Sequence, residues 1–157
     1  MAGALERFEQ AVQAAGLSFQ IRRFPSGTRT AADAARAVGC DIGQIVKSLV
    51  FVADGQAFLA LTSGENRADL ERLATLLGVS EVRRATAEEA REATGFAIGG
   101  TPPFGHTRSL RILIDRDLMG HGLVWAAAGA PDSVFPITPD QLLGATGGAV
   151  ADFKEGA

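Results

Sequence analysis

Apolar residues at the start of the chain recur at helical spacing. Leu5, Phe8, Val12 and Ala15 share one stripe of "ALERFEQAVQAAG", and Gly16 is a natural stop. The spacing then changes to two. Leu17, Phe19 and Ile21 alternate with polar neighbours in "LSFQIRRF", which predicts a strand. "TAADAARAVG" predicts a short helix capped by Thr30, with Asp33 near the positive end of its dipole and Gly39 as its end. "QIVKSLVFVADGQAFLALT" holds two apolar β-type runs around Asp54-Gly55, a dipeptide that favours a hairpin turn. "GENRADLERLATLLG" predicts a helix with Leu70, Leu73, Leu76 and Leu77 inward and Gly78 after it. "EVRRA" reads as a short strand. Thr86 and Glu89 form a capping-box pattern that opens "TAEEAREATG", and Gly95 closes it. "RILIDRDLM", "GLVWAAAG" and "SVFPI" read as strands. "TPDQLLGATGG" reads as a helix capped by Thr138 with Gln141 in the reciprocal position, and "AVADF" as a last strand.

Helices and hairpins are mixed without regular strand–helix alternation. The pattern therefore predicts an α+β fold with a mostly antiparallel or mixed sheet. No repeat, low-complexity segment or linker interrupts residues 1–157, which predicts one domain.

Composition narrows the function classes. Lys plus Arg is 15 and Asp plus Glu is 18, a net charge of −3, so no global basic field favours DNA or non-specific nucleic-acid binding. Arg22, Arg23 and Arg29 form a local basic cluster, readable either as a solvated strand end or as a nucleic-acid contact. The single cysteine, Cys40, excludes an internal disulfide and a multi-cysteine metal site. No apolar run suggests a membrane span, and "MAGALERFEQ" lacks a signal-peptide layout, so a cytoplasmic protein is expected.

Two features remain that could carry chemistry. Lys47 interrupts an apolar strand, on the face that holds Ile45, Leu49 and Phe51, while Val46, Val50 and Val52 take the other. A lysine there either snorkels to solvent or meets a partner or ligand. "GGTPPFGH", residues 99–106, packs three glycines, two prolines and one of two histidines into eight residues. It cannot be a helix interior or a central strand. Glycine lets backbone approach a ligand and proline keeps a loop from flexing, so main-chain groups here could stabilise charge in an acyl-transfer transition state. The alternative is a structural turn. His106 closes the loop and is either a site residue or a structural one; His121 reads as a turn residue. Two histidines and one distant cysteine do not make a zinc site. No Gly-x-Ser-x-Gly elbow, phosphate-binding loop or dinucleotide motif is present, so no cofactor is expected.

From about Thr30 to Phe153 the chain resembles the YbaK family of aminoacyl-tRNA deacylases, which includes the editing insertion of bacterial prolyl-tRNA synthetases. The blocks that carry the resemblance are "TAADAARAVGCDIGQIVKSLVF", "ALTSGENRADLERLATLLG", "ATGFAIGGTPPFGH" and "AAAGAPDSVFPITPDQLL". It implies a curved mixed sheet flanked by helices, with the substrate pocket between sheet and loop. It implies that Lys47 is the essential lysine, holding the aminoacyl ester or the terminal adenosine. Gly99 and Gly100 would supply catalytic backbone groups, with Thr101, Pro102, Pro103, Phe104, Gly105 and His106 around the substrate and Gly129 near the pocket. A side chain at Gly100 would then fill the site. The reaction implied is hydrolysis of a mischarged aminoacyl-tRNA carrying Ala, Ser, Thr or Cys, with the proline tRNA as a candidate carrier. The protein would act in trans, with a synthetase as a candidate partner and with Arg22, Arg23 and Arg29 touching the tRNA. The alternative is a tRNA- or protein-binding regulator of the same fold without turnover. Binding alone separates small side chains poorly, which is why a second, hydrolytic sieve is useful to a synthetase.

Overall fold

The computed structural model describes residues 3–25, 28 and 30–156. Five helices and eight strands follow in chain order. Helix α1 spans Ala4–Ala14, strand β1 Arg22–Arg23 and α2 Ala31–Val38. The hairpin is β2, Val46–Ala53, and β3, Gln56–Ser63. Then come α3 (Leu70–Leu77), β4 (Val82–Arg84), α4 (Ala87–Thr94), β5 (Arg111–Asp115), β6 (Val124–Ala127), β7 (Ser133–Ile137), α5 (Pro139–Thr146) and β8 (Ala149–Ala151).

The fold is α+β, as the pattern predicts. Strand pairing among the described residues forms two sheets: a five-stranded one in the order β4-β2-β3-β5-β8, and a three-stranded one in the order β1-β7-β6. Pairing is antiparallel except for β3–β5 and β5–β8, which are parallel. A single bridge, Ile45 to Trp125, links the two sheets.

Local chemistry sets the element boundaries. Asp54 (φ 48°) and Gly55 (φ 86°) both take the left-handed backbone that a type I′ turn demands. Thr30 Oγ accepts from Asp33 N at 3.0 Å, and reciprocal capping boxes hold Thr86 with Glu89 and Thr138 with Gln141.

β2 and β3 are covered on both sides. Val46, Val50, Leu59 and Leu61 join Phe8, Phe96, Phe104 and Phe135 in the larger core. Phe51, Phe58 and Ala60 join Leu73, Val82 and Phe153 on the opposite face. Burial of such side chains supplies roughly 1.5–3 kcal/mol each, which fixes the hairpin in register.

Two boundaries and one buried face differ from the sequence reading. Leu17, Phe19 and Ile21 do pack on the larger core, but the ladder spans only Arg22–Arg23. Alternation reports which side is buried, not whether a neighbouring strand supplies hydrogen bonds. In α3 only Leu73 is fully buried; Leu70 is 38% and Leu76 45% exposed. The helix is short, so its apolar stripe is wider than the surface it covers. β5 stops at Asp115, whose carboxylate accepts from Asp117 N at 3.0 Å and opens a 3-10 turn over Arg116–Gly120.

Candidate active site

β4 pairs with β2 only along Phe51, Val52 and Ala53. The earlier part of the β2 edge lies uncovered between that pairing and the Ile45–Trp125 bridge. A cleft of about 530 Å³ opens there. Lys47 and Ser48 of β2, Arg84 of β4, Ile98, Gly99, Thr101 and Trp125 of β6 are among the residues that line it. Val50 O already accepts from Ala85 N at 3.0 Å on this edge. By the two-residue period of a strand, Ser48 directs its own main-chain N–H and C=O toward the same side. Ser48 Oγ is buried and has no hydrogen-bond partner among the described residues.

Lys47 is half-buried and pairs in register with Thr62. Its Nζ donates to Asn66 O at 2.5 Å. Burial pushes its pKa below the ordinary lysine value, and the charges of Arg67 and Arg84 push the same way; the Asp115 carboxylate opposes them. Lys47 therefore does not snorkel free into solvent. It sits beside two further cations at the edge of a cleft, where an anionic or carbonyl oxygen would be attracted.

The opposite wall is the loop after α4. Gly99 has φ +91°, a conformation suited to glycine. Gly100 N donates to Ala97 O at 3.0 Å, and Thr101 Oγ donates to the same oxygen at 3.0 Å. The Gly100 N–H thus closes a turn inside the loop, while Gly99 and Thr101 line the cleft. A Cβ at Gly100 would lie 2.9 Å from Ala130 Cα, so it would strike backbone rather than fill the cleft, contrary to the sequence expectation. Gly129 (φ +106°) is a second close approach, since a Cβ there would lie 2.8 Å from Ala4 O.

The remaining loop residues stand behind this wall. Pro102 and Pro103 are buried. Phe104 is 6% exposed, with its ring centroid 5.2 Å from that of Phe8 and 6.2 Å from that of Phe135. His106 Nε2 lies 2.7 Å from Pro102 O and braces the turn. Phe104, Gly105, His106 and Gly129 do not line the cleft.

Of the basic cluster, Arg22 lies over the Trp125 ring at 4.9 Å, next to the cleft. Arg23 faces Asp132 at 3.3 Å. Arg29 lies outside the described residues. Sequence reasoning missed Arg84, which reaches the cleft by crossing Phe51 from the neighbouring strand. It also missed Asn66 as a partner of Lys47. Asn66 lies in the "SGENR" block, but nothing in the spacing links positions 47 and 66.

A family model for the aminoacyl-tRNA editing domain matches residues 25–145. The chain belongs to this family. It is 48% identical, with a TM-score of 0.93 and 99% of each chain covered, to a solved protein described as a candidate trans-editing enzyme for prolyl tRNA synthetase. It is 29% identical to the uncharacterized protein YwhH of Bacillus subtilis (strain 168), over 78% of each chain. The proline–tRNA ligase of Acidithiobacillus ferrooxidans is 33% identical over 68% of this chain, and the match spans 19% of the ligase's own length. The editing domain is thus similar both to free-standing proteins and to one segment of a much longer synthetase.

Proposed function

We propose that this editing domain hydrolyses the ester of a mischarged aminoacyl-tRNA carrying a small residue (Ala, Ser, Thr or Cys), with the proline tRNA as a candidate carrier, acting in trans in the cytoplasm. The observation that carries this reading is that Lys47, Gly99 and Thr101 line one cleft, at the uncovered edge of β2. Nothing in the chemistry needs a protein nucleophile. An aminoacyl ester is already activated, so a water can attack its carbonyl carbon. The tetrahedral oxyanion then collapses, the bond to the ribose oxygen breaks as that oxygen takes up a proton from the attacking water, and free amino acid and tRNA leave. Gly99 and Thr101, which line the cleft, carry main-chain groups that suit the developing oxyanion, whereas the Gly100 N–H is already engaged by Ala97 O. The Lys47 ammonium, with Arg84 beside it, suits the ester or the terminal nucleotide. Arg22, and with it Arg23 and Arg29, would meet the acceptor strand.

The test is a panel of aminoacylated tRNAs incubated with the wild type and Lys47→Ala. Loss of the ester on at least one small-residue tRNA is expected, with Lys47→Ala slower by about 100-fold or more, the scale of removing one group that stabilises the transition state. Its melting temperature should change little, because the side chain is only half-buried. Full activity of Lys47→Ala would overturn the role of the lysine. Binding of tRNA with no ester loss would favour a regulator of the same fold.

A further inference from the structure

Asp115 is a carboxylate only 1% exposed at the end of β5, and it does not line the cleft. A buried carboxylate needs donors, and it has three. Ser63 N donates to its Oδ2 at 2.9 Å, Asn66 Nδ2 to the same oxygen at 2.9 Å, and Asp117 N to its Oδ1 at 3.0 Å. Asn66 Nδ2 also donates to Asp117 Oδ2 at 2.9 Å. An amide nitrogen has two hydrogens, so both are engaged and the side chain is fixed. Asn66 N donates to Ser63 O at 2.9 Å, which holds the main chain as well. The carbonyl of this same residue is the acceptor of Lys47 Nζ. Beyond it, Lys154 Nζ donates to Asp117 Oδ2 at 2.8 Å. The chain's two lysines therefore end on one polar cluster.

We propose that Asn66 is a positioning residue for Lys47: Asp115 and Asp117 clamp its side-chain amide, its main-chain carbonyl holds the ammonium at the cleft, and Lys154 braces Asp117 from outside. A lysine's four-carbon stem otherwise samples many rotamers. One of its three donors is directed to Asn66, which leaves two to face a substrate. The buried carboxylate thus acts on the cleft through a carbonyl that its neighbours keep still. This inference rests on the reading of Lys47 as the essential cation of the site.

The test compares the full chain as wild type, Asn66→Ala, Lys47→Ala and the double variant. Single-turnover hydrolysis of alanyl-, seryl- and threonyl-tRNA is followed, with melting temperature and the NMR signals of the two lysine side chains. Asn66→Ala should slow hydrolysis about tenfold when Lys47 is present, the cost of a modest misplacement. It should add nothing when Lys47 is already alanine. It should also shift the Lys47 signal. Equal slowing in both backgrounds would mean a merely structural residue and overturns the proposal, as does an unmoved Lys47 signal. Should Asn66→Ala not fold, Asp117→Ala serves, because that side chain is 35% exposed. It should shift the Lys47 signal and slow hydrolysis about twofold; no shift overturns the proposal. If the wild type hydrolyses none of the three esters, nor the cysteinyl ester, the functional reading falls, and the Lys47 signal alone decides the positioning role.

Discussion

The two walls of the cleft are held by different physics. On the β2 side the Lys47 cation is held by a main-chain carbonyl, and the residue that carries it is held by two carboxylates, one of them buried: Lys47 to Asn66, Asn66 to Asp115 and Asp117. On the loop side there is no ion pair at the wall itself. Gly100 lies against the backbone of Ala130, and Phe104 anchors the segment in the aromatic core with Phe8 and Phe135. One wall is sensitive to charge and direction, the other to volume. A substitution can therefore silence the first with the fold intact, whereas damage to the second should cost stability and activity together.

Phe104→Ala is the strongest test of that contrast. Removing a buried ring leaves a cavity, and such changes cost about 3–5 kcal/mol. Chemical denaturation should show that loss, and ester hydrolysis should fall with it as the loop loses its anchor. A stable Phe104→Ala protein with an inactive cleft would make the loop a substrate contact instead. Gly100→Ala should come next. Its Cβ would lie 2.9–3.1 Å from the Cα, C and N of Ala130, none of which can rotate away. Overpacking of this kind costs about 1–3 kcal/mol. A drop in melting temperature is the expected readout, and unchanged stability would show that the two loops separate freely.

The division also explains what could be read in the sequence. Local features were legible: the caps at Thr30, Thr86 and Thr138, the Asp54-Gly55 turn and the two-sided burial of β2 each depend on residues close together in the chain. Lys47 stood out because its neighbours are apolar. What was hidden depends on tertiary approach. Asn66 meets Lys47 across 19 positions and Asp115 across 49. Arg84 reaches the cleft only because β4 pairs with β2. Gly100 looked like a residue that leaves space for substrate, yet the neighbour that needs the space is Ala130. Glycine in a sequence signals a close approach without naming what approaches. The loop residues Phe104, Gly105 and His106 suggest a binding surface as a string, but the chain turns them away from the cleft after Thr101.

His106 gives the smallest expected effect and separates brace from contact. Burial lowers its pKa below the ordinary 6.5, and the hydrogen bond to Pro102 O opposes the shift without reversing it. The unfolded chain therefore binds the proton at higher pH than the folded one. The resulting stability is fully present above the unfolded value and is lost as pH falls through the folded value. Melting temperatures of the wild type and His106→Gln, followed from about pH 8 to about pH 5, should diverge, with the wild type losing more on acidification. Parallel curves would remove His106 as the source. Because the ring touches Pro102 and not the cleft, His106→Gln should leave the choice of aminoacyl group unchanged at neutral pH. A changed preference among alanyl, seryl and threonyl esters would instead put the far end of the loop in contact with substrate, and the cleft's second wall would then extend beyond Thr101.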